Sequence, residues 1–125
     1  MATKTIPLEL VPQGWYMSWF MATQAAFDIC VTLYDDTTTY VGDKCRQSTA
    51  FGVLDEGFSQ VSGSNMNLVV DISSSDDILV VNHPVVVPNV KGLAVAQGYV
   101  FAFEDSDDQD FNDLYCTIMA WKSVG

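Results

Sequence analysis

Apolar residues recur at every second position through much of the chain. Phe27, Ile29, Val31 and Leu33 alternate with Asp28, Cys30, Thr32 and Tyr34, and the same period carries Met66, Leu68, Val70 and Ile72, then Leu114, Cys116, Ile118 and Ala120. Successive side chains of a strand point to opposite faces, so each run predicts a half-buried strand. The runs WYMSWFMA (15–22), ILVV (78–81) and YVFAF (99–103) are continuous and rich in aromatic or β-branched residues. They predict strands buried on both faces. No segment of ten or more residues keeps a 3.6-residue period, and the chain is expected to be all-β.

Turn-forming clusters divide these runs: Asp35-Asp36-Thr37, Gly42-Asp43-Lys44, Asp55-Glu56-Gly57, Ser62 to Asn65, Ser73 to Asp77, Asn82-His83-Pro84 and Pro88-Asn89. The expected architecture is one antiparallel β-sandwich of eight to ten short strands spanning residues 1–125, without repeats or linkers. Pro84 to Pro88 reads as an edge strand or subunit contact, because proline cannot donate inside a sheet. His83, the single histidine, reads as an exposed loop residue. Trp15, Tyr16, Trp19 and Phe20 fit core packing better than a sugar-stacking platform.

Composition narrows the function. Sixteen acidic and five basic residues give a formal charge of −11, which argues against nucleic-acid binding, where Lys and Arg must face phosphates. With 49% hydrophobic residues the chain is no acidic tail. It has neither a signal-peptide h-region nor a stretch of about 20 apolar residues, so no membrane insertion is expected. The chain is expected to be cytoplasmic as synthesised, with any export following a non-classical route. Cys30, Cys45 and Cys116 are odd in number and lack CxxC spacing, so they read as buried reduced thiols rather than a disulfide framework or a zinc site.

The acidic residues are concentrated in one place. An even spread would put about 1.3 in any ten-residue window, yet EDSDDQDFND (104–113) holds six and no Lys or Arg. Six carboxylates confined between two strands repel one another, a like-charge pair at 4 Å costing about 4 kcal/mol at an effective dielectric of 20. A hard divalent cation reverses that sign, and flexible oxygen-rich loops suit Ca²⁺ better than Mg²⁺. An EF-hand is excluded: counted from Asp108, its sixth and twelfth positions are Asp113 and Met119 instead of Gly and Glu, and LYCTIMAW is a strand sequence.

The segment FEDSDDQDFND, followed by an apolar strand, a Trp and a terminal Gly, resembles the C-terminal signature of the two-calcium bacterial lectins that bind fucose and mannose. Glu104, Asp105, Asp108, Asp110, Asn112 and Asp113 match its pattern, with Phe111 in place of a Tyr. Weaker similarity covers the N-terminal hairpin, and residues 40–95 align only by strand count. The resemblance implies two Ca²⁺ ions, with Glu104 and Asp108 on one, Asn112 on the other, and Asp110 and Asp113 bridging both. It further implies that Asp105 hydrogen-bonds the sugar and that Thr23 or Gln24 replaces an Asn supplied by the loop after the second strand. The Gly125 carboxylate would come from a partner subunit, in a homodimer or larger homo-oligomer.

The function so implied is calcium-dependent binding of a fucose- or mannose-like monosaccharide. Similar motifs also occur in calcium-binding surface modules, so a non-catalytic, calcium-stabilised adhesion or structural module without a sugar site is the alternative expectation. A glycosidase is disfavoured, since a catalytic acid needs a raised pKa and bound Ca²⁺ lowers it.

Overall fold

The computed structural model describes residues 1–73, 77–105 and 113–122. These hold seven strands: β1 (Ala2–Pro7), β2 (Tyr16–Tyr34), β3 (Thr39–Gln60), β4 (Asn67–Ile72), β5 (Leu79–Pro88), β6 (Ala94–Glu104) and β7 (Leu114–Trp121). No helix among the described residues is long and apolar enough to cross a membrane. All strand pairs are antiparallel, as the period-two pattern predicts.

The strand count falls below eight to ten because two strands are long. Gly42-Asp43-Lys44 and Asp55-Glu56-Gly57, read above as turns, lie inside β3. Asp43 adopts φ 48° and the β2–β3 register shifts at five places, so these residues bend a continuous ribbon instead of ending it. Asn82-His83-Pro84 likewise sits within β5. His83 is exposed, but on a strand.

β2 organises the domain. One side of it pairs with β3 along its length, whereas the other side meets β7 over Tyr16–Thr23 and β4 over Ile29–Tyr34. Around residues 24–28 the two sets of neighbours part, and the sheet curls into a half-barrel. One half carries β7, β6 and β5, with β5 at the free edge as the two prolines require; the other carries β4 and β1. Between them lie Met17, Met21, Ile29, Leu33, Leu68, Ile72, Phe101, Phe103, Leu114 and Ile118, each at most 1% exposed. The expectation that runs 15–22, 78–81 and 99–103 are buried on both faces is corrected: Phe101 and Phe103 are buried while Val100 is 45% exposed. Phe20 and Val81, in the other two runs, are 41% and 54% exposed, although Ala22 is buried together with the adjacent Met21.

Two of the three cysteine assignments are also corrected. Cys30 and Cys45 are cross-strand partners on β2 and β3, with Cα atoms 4.0 Å apart, and form a disulfide. Facing residues in an antiparallel pair come this close whatever their spacing in sequence. Cys116 is a buried thiol as expected, and its burial pushes the thiol pKa well above the ordinary value.

The β2–β3 turn is fixed by Asp35, which is 5% exposed. Its Oδ1 accepts from the Thr37 and Thr38 amides, both at 2.8 Å, and its Oδ2 from the Gly63 amide at 2.9 Å and the Tyr40 hydroxyl. A Cβ at Gly63 would lie 2.8 Å from Asp35 Oδ1, so glycine permits this approach. Burial alone would raise the Asp35 pKa, but the hydrogen bonds from Tyr40, Thr37 and Thr38 outweigh it and hold the group below 3.8. A depressed carboxylate stabilises the fold above its unfolded pKa, and that contribution is lost as pH falls through the folded value. Asp35→Ala should therefore cost about 3 kcal/mol at neutral pH and flatten the acid limb of stability between pH 4 and the folded value, which urea melts across that range would register.

Candidate functional site

The acidic segment joins two neighbouring strands. β6 ends at Glu104, β7 starts at Leu114, and Phe103 pairs with Leu114. The chain thus has to leave and re-enter the sheet at one point, which carries the carboxylates at both ends of the segment together. Glu104 is 1% exposed and Asp113 7%, with Asp105 partly exposed beside them. The Asp105 amide donates to Glu104 Oε1 at 3.0 Å and to Asp113 Oδ2 at 2.9 Å. One carboxylate oxygen from each of the three residues lies within 4.8 Å of the others.

The cluster sits where β2 changes partners. Thr23 pairs with Leu114, and the Gln24 amide donates to the Asp113 carbonyl at 3.1 Å. Both β2 residues singled out in the sequence therefore flank the acidic segment. Thr23 is fully buried, and its hydroxyl accepts from Arg46 Nη1 at 3.0 Å. Gln24 is exposed. Asp108, Asp110, Asn112 and Gly125 lie outside the described residues.

Arg46 carries no motif signal, and only the fold reveals its position. From β3 it donates to the Thr23 carbonyl at 2.8 Å and to the Ala50 carbonyl at 2.9 Å. Those bonds brace the stretch in which β2 passes from β7 to β4. What brings Arg46 there is the shift of register between Ala25 and Ile29, which a period-two pattern does not encode.

The electrostatics of the cluster suit a cation. Burial raises the Asp113 pKa above 3.8, and the neighbouring Asp105 charge adds to that rise despite the hydrogen bonds from Glu104 and the Asp105 amide. Anionic Asp113 is thus held at a cost. A donor set made only of carboxylate oxygens is hard, and it fits Ca²⁺ in preference to zinc or copper. The other grouping of potential ligands among the described residues, Cys30, Asp43 and Cys45, is closed to metal because its two sulfurs are bonded to each other.

No family model and no curated protein sequence matches the chain. Solved structures do. The C-terminal domain of the BC2L-C lectin from Burkholderia cenocepacia is similar with a TM-score of 0.70 at 15% identity, over 99% of this chain and 100% of that one. The Chromobacterium violaceum lectin CV2L, in complex with α-methyl-fucoside, gives 0.69 at 19% identity over 94% and 96%. A high-affinity mannose-binding lectin of Ralstonia solanacearum gives 0.69 at 17% identity over 94% and 96%. The fold of this chain is the fold of these bacterial lectins, end to end.

Proposed function

We propose that this protein is a non-catalytic, calcium-dependent lectin that holds a neutral monosaccharide of the fucose or mannose type. One observation carries the reading: Glu104, Asp105 and Asp113, singled out from sequence, converge within 4.8 Å at the junction of β6, β7 and β2. Support comes from fold neighbours described as lectins, one bound to a fucoside and one mannose-binding. In this reading Glu104, Asp108, Asp110, Asn112 and Asp113 hold two Ca²⁺ ions, with the Gly125 carboxylate of a partner subunit completing the set.

Bound Ca²⁺ would supply open coordination positions for two adjacent sugar hydroxyls. The chain does the rest. Carboxylates at the site accept the hydroxyl protons in charge-assisted hydrogen bonds, Asp105 at the partly exposed rim faces the sugar, and the exposed Gln24, bonded through its backbone to Asp113, offers an amide. Arg46 keeps Thr23 and Gln24 in register with Asp113. A single sugar contributes modest affinity, so a homodimer or larger assembly gains by presenting several sites at once. The Cys30–Cys45 disulfide favours an oxidising milieu as the place of work, which fits a protein acting on external glycans after leaving the cytoplasm.

A glycan array probed with and without calcium tests the proposal. Fucosides or mannosides should give a signal with calcium that EDTA removes. Calcium binding with no glycan signal would leave a structural module instead. Asp105→Ala should retain calcium and lose sugar, as parallel calcium titration and array data on that variant would show.

A further inference from the structure

β5 and β6 run on past the core as a two-stranded hairpin, and among the described residues β5 pairs with no other strand. The tip of this hairpin is apolar on both sides. Val86 continues the face of β5 that carries the partly buried Val80, and Val87 points the opposite way. Val86 is 56% exposed, Val87 and Val95 are exposed as well, and in the turn beyond them Leu93 is 61% exposed and Val90 fully so. Turns are ordinarily built from polar residues, so aliphatic side chains at the outermost point of this one call for a physical reason.

The turn satisfies its own backbone. Asn89 Oδ1 accepts from the Lys91 amide at 2.8 Å and from the Leu93 amide at 3.1 Å. The Asn89 amide donates to the Leu93 carbonyl at 2.7 Å, and the Gly92 amide to the Asn89 carbonyl at 3.0 Å. Gly92 takes φ 81°, which glycine adopts freely, and Pro88 has no amide to satisfy. With these amides paired inside the turn, Val90 and Leu93 are held outward, and few donors would have to be stripped of water in an apolar medium.

Charge follows the same pattern. From Ile78 to Phe103 there is no Asp or Glu, where an even spread of the sixteen acids would place about three, and Lys91 at the tip is the only Lys or Arg of that stretch. Lys122, whose amide donates to the Val95 carbonyl at 3.0 Å, adds a second cation beside it. We propose that this tip is a shallow attachment site for the surface of a phospholipid bilayer. A groove on a protein would cover one side of the hairpin and leave the valines of the other in water, whereas lipid surrounds an inserted tip. Penetration of about 5–10 Å, at about 3.3 Å per residue, takes in the turn and roughly two residues of each strand. Lys91 reaches back along its flexible stem to a headgroup phosphate. Such attachment needs no spanning segment. β6 carries the chain from Ala94 at the tip to Glu104 at the acidic cluster, 11 residues and roughly 33 Å. A bilayer-bound chain therefore holds that cluster away from the lipid, and the attachment is independent of sugar binding.

Flotation of the whole protein with phosphatidylcholine vesicles tests it, in EDTA and without glycolipid so that neither a sugar nor a calcium bridge contributes. The wild type should float with the vesicles. Val90→Glu and Leu93→Glu, both at positions exposed in the single chain, should keep the wild-type melting temperature and lower the partition at least about tenfold each, because an apolar side chain is lost from the lipid and a charge has to enter it. Thr5→Glu, which adds the same charge at an exposed position of β1, should float as the wild type does. A wild type that stays in the buffer, as a tip built for a protein partner would, tip variants that float normally, or an equal loss from Thr5→Glu would each overturn the assignment.

Discussion

Asp113→Asn is expected to abolish the response of the protein to calcium while leaving the calcium-free fold as stable as the wild type or more so. The two effects have one cause. Asp113 is 7% exposed and its pKa is raised by burial and by the Asp105 charge, so its anionic form opposes folding once pH rises through the folded value. Asparagine removes that charge and can still accept the Asp105 amide that Asp113 Oδ2 now takes at 2.9 Å. For the wild type, calcium at 100 times its dissociation constant should add about 2.7 kcal/mol, a rise in melting temperature of roughly 10 °C. The variant should show almost none. Thermal melts with EDTA and with calcium distinguish this from a purely structural role, which would lower the melting temperature in both conditions. Because protons compete for the same carboxylates, the wild-type calcium increment should also shrink as pH falls toward 4.

A second large effect is expected from the disulfide. Cys30 and Cys45 close a segment with a sequence separation of 15, for which constraint of the unfolded chain amounts to about 3 kcal/mol. Cys30→Ala with Cys45→Ala, or reduction of the wild type, should lower stability by up to that amount, because β2 and β3 already form a ribbon of neighbouring residues. The calcium response should survive, since the bridge joins the half of β2 that pairs with β4, away from Thr23 and Leu114. Denaturant melts with and without reductant measure the loss, and identical midpoints would contradict it.

The parts of the fold legible in sequence are those encoded by a local period. Met66 to Ile72 and Leu114 to Ala120 bury the alternate residues the pattern selects, because a strand that covers a core on one side has to alternate. Continuous apolar runs were less informative. YVFAF suggested burial on both faces, whereas Val100 within it is 45% exposed, and a continuous apolar run carries no mark of which of its residues the core will cover. Turn-rich clusters misled for a related reason, since Gly42-Asp43-Lys44 and Asp55-Glu56-Gly57 ease bulges in the long β3 as readily as they end a strand. The site was legible at Glu104 and Asp113 because acid density in a short segment is a local signal. Arg46 and the Cys30–Cys45 pairing were not, as both depend on the register between β2 and β3.

The central claim is that sugar binding requires calcium, and isothermal titration of α-methyl-fucoside and α-methyl-mannoside into the protein tests it most directly. With calcium present, at least one of the two should bind saturably, and the heat should vanish in EDTA and return when calcium is restored. Saturable binding that persists in EDTA, or none with either sugar at full calcium occupancy, would contradict the account.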